Sequence, residues 1–125
     1  MKWLVPNLMV TDVAQTIAFY RDVLGFEVFG KFPEAGTPFW AMLKRGAAEL
    51  MVQEKQNMTG EFALGAIPGL GGSFGLYMSV PDFEAFYESV KNQVTIVEQP
   101  HLTFYGAQRF AIRDCNGYLL VFQNK

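Results

Sequence analysis

The apolar positions between residues 13 and 24 are Val13, Ile17, Tyr20 and Leu24, spaced i, i+4, i+7 and i+11. That spacing is one face of a helix. Asp12 stands where an N-cap belongs, Gln15 completes a capping box, and Gly25 supplies the stop. The flanking segments switch to a period of two, the signature of strands. Trp3 to Val10 reads as a strand, with Pro6 placing it at an edge or a bulge. Phe26, Val28 and, after Gly30, Phe32 mark a second strand. Glu34–Pro38 reads as a turn, and Phe39–Lys44 and Glu49–Glu54 as two more strands joined by Arg45-Gly46.

Residues 55–72 are Gly-rich and mark either a boundary between two halves or a mobile loop near a site. Beyond them the order repeats. Ser73–Val80 reads as a strand, and Pro81-Asp82 caps a helix carrying Phe83, Phe86, Tyr87 and Val90. Val94–Glu98 reads as a strand followed by a loop containing His101. Gln108–Arg113 and Tyr118–Gln123 form a hairpin around Asn116-Gly117, a strong turn signal. The pattern is therefore β-α-β-β-β twice, an α+β chain of two tandem βαβββ modules. Sequence echoes support the repeat: VTD and VPD precede the two helices, and ELMVQE in the first half matches YLLVFQ in the second. Such modules cannot each bury a sheet face alone, so they must pack together, within the chain or with a second copy. The expected organisation is one domain over 1–125, with module one at 1–54, a linker at 55–72 and module two at 73–125.

Composition narrows the classes. The chain has 125 residues, the size of one ordinary domain, and 12 of them are Phe. That aromatic load calls for a large interior, an apolar cleft or a subunit interface. A net charge of −2 gives no basic footprint for nucleic acid. The single Cys115 excludes an internal disulfide and fits a reducing, cytoplasmic setting. No apolar run reaches the ~18 residues of a membrane span. The N-terminal MKWLVPNLMV is too short for a signal peptide.

Two stretches, PNLMVTDVAQTIAFYRDVLGF (6–26) and YGAQRFAIRDCNGYLLVF (105–122), resemble the vicinal oxygen chelate superfamily. It includes glyoxalase I, bleomycin- and fosfomycin-resistance proteins, methylmalonyl-CoA epimerase and extradiol dioxygenases. The resemblance implies cupped mixed sheets and a homodimer with clefts at its interface. In metal-dependent members, His, Gln or Glu side chains project into the cup from the first and last strands of each module. Carried over to this chain, the ligand positions are Val5, Gly75 and Val121, with Met51 set opposite Val121 by the internal repeat. Glu49 lies two residues from Met51 on the same face, and a one-step shift of alignment makes it a ligand. Valine offers no lone pair and glycine no side chain, and one Glu does not hold a catalytic metal. The resemblance thus points to a metal-free, bleomycin-resistance-like branch.

The remaining chemistry is sparse. His101 is either a general base or ligand contact, or a solvated loop residue. Cys115 lies in a turn with only Arg113 as a basic neighbour, which favours a structural role. Asn7 shares the strand face of Val5, and Gln53 and Gln123 follow by the same parity as candidate hydrogen-bonding contacts. Phe39, Trp40, Phe62, Phe104 and Tyr105 are candidates to stack on flat ligand groups or to fill the core. The Gly-rich 65–75 segment lacks the lysine of a phosphate loop. The leading expectation is a protein that sequesters an apolar or aromatic small molecule, without cofactor or metal. Its expected ligand-lining residues are Asn7, Trp40, Glu49, Met51, Gln53, Phe62, Tyr105 and Val121. The alternative is a glyoxalase-like lyase, an epimerase or a dioxygenase, either on metal ligands not found here or by acid-base work of Glu49 or His101.

Overall fold

The computed structural model of the chain describes residues 1–62 and 74–125. They fall in two compact units, Met1–Gly71 and Gly72–Lys125. The first contains β1 (Asn7–Val10), α1 (Val13–Asp22), β2 (Glu27–Phe32), β3 (Trp40–Arg45), β4 (Ala48–Glu54) and α2 (Lys55–Phe62). The second contains β5 (Gly75–Ser79), α3 (Phe83–Val90), β6 (Thr95–Leu102), β7 (Gln108–Arg113) and β8 (Leu119–Gln123). The sheets have matching strand orders, β1-β4-β3-β2 and β5-β8-β7-β6. In each the first strand runs parallel to the last and the other pairs are antiparallel. The β-α-β-β-β repeat read from the sequence is the repeat observed.

Local chemistry explains α1. The Asp12 carboxylate accepts a hydrogen bond from the Gln15 backbone N–H at 2.9 Å, satisfying one orphan donor of the first turn. The helix stops before Gly25, whose φ of 76° is a left-handed conformation that suits glycine. The stripe Val13, Ile17, Tyr20 and Leu24 is buried. It packs with the alternate strand residues Leu8, Val10, Ala41, Leu43, Leu50 and Val52, which are also buried.

The core of the second unit is aromatic. Phe83, Phe86 and Val90 of α3 are buried with Phe110, Ile112, Leu120 and Phe122 of the hairpin. Phe110 touches the rings of Phe83, Phe86, Tyr87 and Phe122, at centroid distances of 5.0–6.0 Å. Five of the chain's phenylalanines, Phe26, Phe83, Phe86, Phe110 and Phe122, are core residues, whereas Phe29, Phe32, Phe62, Phe74 and Phe104 are exposed.

The structure differs from the sequence reading in four places. The first strand begins at Asn7, not Trp3, and Trp3 and Leu4 are exposed. The first eight residues of the 55–72 stretch are the helix α2. Its start is fixed by Glu54, whose carboxylate accepts from the Gln56 and Asn57 backbone N–H groups at 3.0 and 2.8 Å. The rest of that stretch and Ser73 lie outside the described residues. His101 is in a strand and not a loop. β6 runs on to Leu102 because its register with β7 shifts twice, between Ile96 and Glu98 and between Glu98 and His101. Pro100 falls in the second irregularity, where its missing N–H costs no ladder bond. Finally, Asp82 occupies the N-cap position of α3 but makes no side-chain cap bond, unlike Asp12.

Among the described residues, no helix is long and apolar enough to cross a membrane.

Candidate functional site

Strand parity sorts the first sheet. One face carries the buried residues packed with α1. The other carries Asn7 and Met9 on β1, Trp40, Met42 and Lys44 on β3, and Glu49, Met51 and Gln53 on β4. Register brings them into rows: Asn7 beside Met51 and Met51 beside Met42, then Met9 beside Gln53 and Gln53 beside Trp40. Five of the residues expected to line a ligand, Asn7, Trp40, Glu49, Met51 and Gln53, therefore share one face. Gly30 on β2 lies beneath Trp40, whose ring approaches to 3.9 Å of where a Cβ would stand.

The polar end of this face is a connected chain. Asn7 Nδ2 donates to Gln53 Oε1 at 2.8 Å. Gln53 Nε2 donates to Asn57 Oδ1 at 2.7 Å and to Glu61 Oε2 at 2.9 Å, both on α2. Gln53 is 3% exposed and fully engaged. Asn7 Oδ1 is buried and has no hydrogen-bond partner among the described residues. Sequence reading found Asn7 and Gln53 by strand parity. It missed Asn57 and Glu61, because a Gly-rich stretch gave no helical signal that would set them four residues apart on one helix face.

Glu49 stands at the other end of the face, four residues or roughly 13 Å from Gln53 along the strand. It is tied to Lys44 at 2.8 Å, and that ammonium also lies 4.3 Å from the Phe29 ring centroid. With Gly25, Glu27, Phe29, Lys44, Arg45 and Gly46 it lines an open depression of about 330 Å³. Phe62, at the end of α2, is exposed.

In the second unit, Val121 lies on the sheet face away from α3, in register with Tyr77 and Ala111, and is buried. The same face carries Arg109 beside Gln123. Tyr105 Oη donates to Gln123 Oε1 at 2.9 Å and accepts from Arg109 at 3.2 Å. Arg109 also grips Glu98 through two N–H groups at 2.8 and 3.0 Å, and His101 Nε2 lies 3.0 Å from the same carboxylate. The Arg109 hydrogen bond holds the Glu98 carboxyl below the usual range, against partial burial and with help from His101. Glu98 in turn raises Arg109, with Tyr105 adding to it. His101, read from sequence as a possible base, is here one partner of a carboxylate that Arg109 already occupies. Arg109 was legible by parity, being two residues from Ala111, the partner of Val121. Glu98 was not, because the bulges of β6 break the alternation.

The resemblance to metal-dependent members places their donors at Val5, Gly75, Val121 and Met51 of this chain. The first three have none, and methionine's thioether is a soft donor unsuited to the hard divalent cations such sites take. A side chain at 75 would also meet Leu119 Cδ2 at 3.2 Å from its Cβ. Among the described residues, no three His, Cys, Asp or Glu side chains cluster so as to hold a metal ion. The residues present do not fit the group.

Comparison with solved structures shows where this architecture recurs. TioX from Micromonospora sp. ML1 superposes with a TM-score of 0.79 at 24% identity, covering 97% of each chain. A bleomycin-binding protein complexed with bleomycin gives 0.68 at 25% identity, covering 100% of this chain and 99% of that one. An integron cassette protein from the mobile metagenome of V. cholerae gives 0.71 at 26%, covering 98% and 94%. No curated protein matches the chain. Residues 2–122 match the family described as Glyoxalase/Bleomycin resistance protein/Dioxygenase superfamily, and with its duplicated β-α-β-β-β sheets the chain belongs to that superfamily.

Proposed function

We propose that this protein binds and sequesters a small apolar or aromatic molecule without a metal, in a cleft formed where two copies associate. The observation that carries this reading is the content of the first sheet's open face. Trp40, Met9, Met42 and Met51 make a half-buried apolar floor, and Asn7 and Gln53 bound it at one end. Methionines adapt their shape to a ligand, and a tryptophan stacks on flat groups at low ordering cost. A floor of this kind with a few polar anchors is what a binding cleft requires. The similarity to a protein that binds bleomycin supports a small-molecule ligand. Glu49 and Phe62 complete the proposed contacts on this unit, and Tyr105 and Val121 are proposed contacts on the second unit.

The test is a thermal-shift screen with aromatic antibiotics and other planar small molecules. A ligand that binds only the folded state raises Tm with its concentration. We expect such a hit, and we expect Trp40→Ala to weaken it. Full retention of affinity in both Trp40→Ala and Tyr105→Ala would remove these residues from the site. Sedimentation of the protein at micromolar concentration tests the dimer.

A further inference from the structure

The hydrogen-bond chain on the first sheet has a fixed sense. Glu61 is a carboxylate and only accepts. Gln53 must therefore turn its amide N–H group toward Glu61, which it does at 2.9 Å. Its carbonyl oxygen is then the end that faces Asn7, and an oxygen there demands a donor. Asn7 supplies Nδ2 at 2.8 Å. The remaining polar atom, Asn7 Oδ1, is left over as an acceptor, buried and without a partner among the described residues. Asn57 does not alter this, since an amide turns either way to suit its neighbour. A single charge on α2 thus dictates, two side chains away, that β1 offers an acceptor and not a donor.

We infer that Asn7 Oδ1 receives a hydrogen bond from the ligand, so that the site selects molecules carrying an N–H or O–H beside their apolar body. The inference rests on the ligand-binding reading above. A buried acceptor without a partner is costly, and a ligand donor removes that cost. A ligand that places an ether or carbonyl oxygen at the same point meets oxygen with oxygen and is rejected. Discrimination of this kind is stronger than a hydrophobic pocket achieves by shape alone.

Indole and benzofuran make the test, since they share one bicyclic skeleton and differ by N–H against O. Both are titrated into the intact protein and followed by protein-observed NMR up to their solubility limits. The wild type should prefer indole about fivefold, the effect of one hydrogen bond. Glu61→Gln removes the acceptor-only end and lets the chain run in either sense, so the preference should fall toward unity while both probes still bind. Asn7→Leu should abolish the preference, and Glu61→Gln carries the test if that variant does not fold. Equal binding of the two probes to the wild type overturns this inference and leaves the ligand-binding reading intact. A preference that survives in Glu61→Gln also overturns it. If neither probe binds, the reading of this face fails and the inference fails with it.

Discussion

Arg109 on β7 holds both carboxylate oxygens of Glu98 on β6, through Nε at 2.8 Å and a terminal N–H at 3.0 Å. The pair sits across a bulged stretch of the ladder, where regular backbone bonds are interrupted. Such a fork is geometrically specific as well as charged. Because Glu98 titrates below its ordinary range in the folded protein, its pairing stabilises the fold above the pKa of an unfolded glutamate. That contribution disappears as pH falls through the lower, folded value. Wild type should therefore have the higher Tm near neutrality, and Glu98→Gln should lose less on acidification. The two melting curves should begin to converge as pH falls below the ordinary glutamate pKa of about 4.3 and meet once pH is below the lower, folded value.

The two helix starts differ in a way that mutation reads directly. Asp12 caps α1 with a carboxylate bond, whereas Asp82 makes no such bond at α3. Asp12→Ala should cost about 1 kcal/mol in urea denaturation. Asp82→Ala should cost only a few tenths, through the helix dipole alone. Equal losses would mean that the repeat VTD and VPD acts alike in both halves.

Phe110 is the hub of the second core, fully buried against four other rings. Truncation to Ala removes the ring and leaves a cavity that its neighbours fill only in part. We expect a loss of about 3–5 kcal/mol, and a smaller one for Phe110→Leu. Against the ~5–15 kcal/mol of a typical domain, the Ala variant should be largely unfolded on mild heating.

Metal addition should leave this protein unmoved. The resemblance puts Val5, Gly75 and Val121 at the ligand positions, and among the described residues no three His, Cys, Asp or Glu side chains cluster to hold a metal ion, so Ni²⁺, Zn²⁺, Mn²⁺ and Fe²⁺ are expected to give no rise in Tm. Protein purified without a histidine tag should carry no stoichiometric metal by elemental analysis. Stoichiometric metal with a thermal shift would redirect work to lyase and dioxygenase assays.

The fold was legible because its signals are local and repeated. The stripe on α1 and the aromatic stripe on α3 each announce one buried face, and the alternation in β3, β4 and β8 announces the sheet that receives it. Parity then placed Asn7, Glu49, Met51 and Gln53 on one face, whereas Trp40 entered only as an aromatic candidate that could equally have filled the core. What was not legible depends on contacts across the chain. Asp114 sets the last turn by accepting from the Asn116 and Tyr118 backbone N–H groups, at 2.8 and 2.9 Å. Sequence read the turn as Asp114–Gly117 but credited its shape to Gly117 and not to the Asp114 carboxylate. Glu61 became visible only once α2 was seen to be a helix, and Glu98 only once β6 was seen to bulge. A bulge or an eight-residue helix over a polar, Gly-containing stretch leaves no period to read.

The alternation of β4 also limits how this chain can change over evolutionary time. Leu50 and Val52 belong to the core, while Met51 and Gln53, one step away, face the other side. Substitution at Met51 or Gln53 alters only the chemistry of the open face. One inserted or deleted codon within the strand would instead send Gln53 into the interior and leucine out of it. Descendants of this sequence should therefore accept many replacements at those two positions and almost no change of strand length. Length variation should gather in the 34–38 turn.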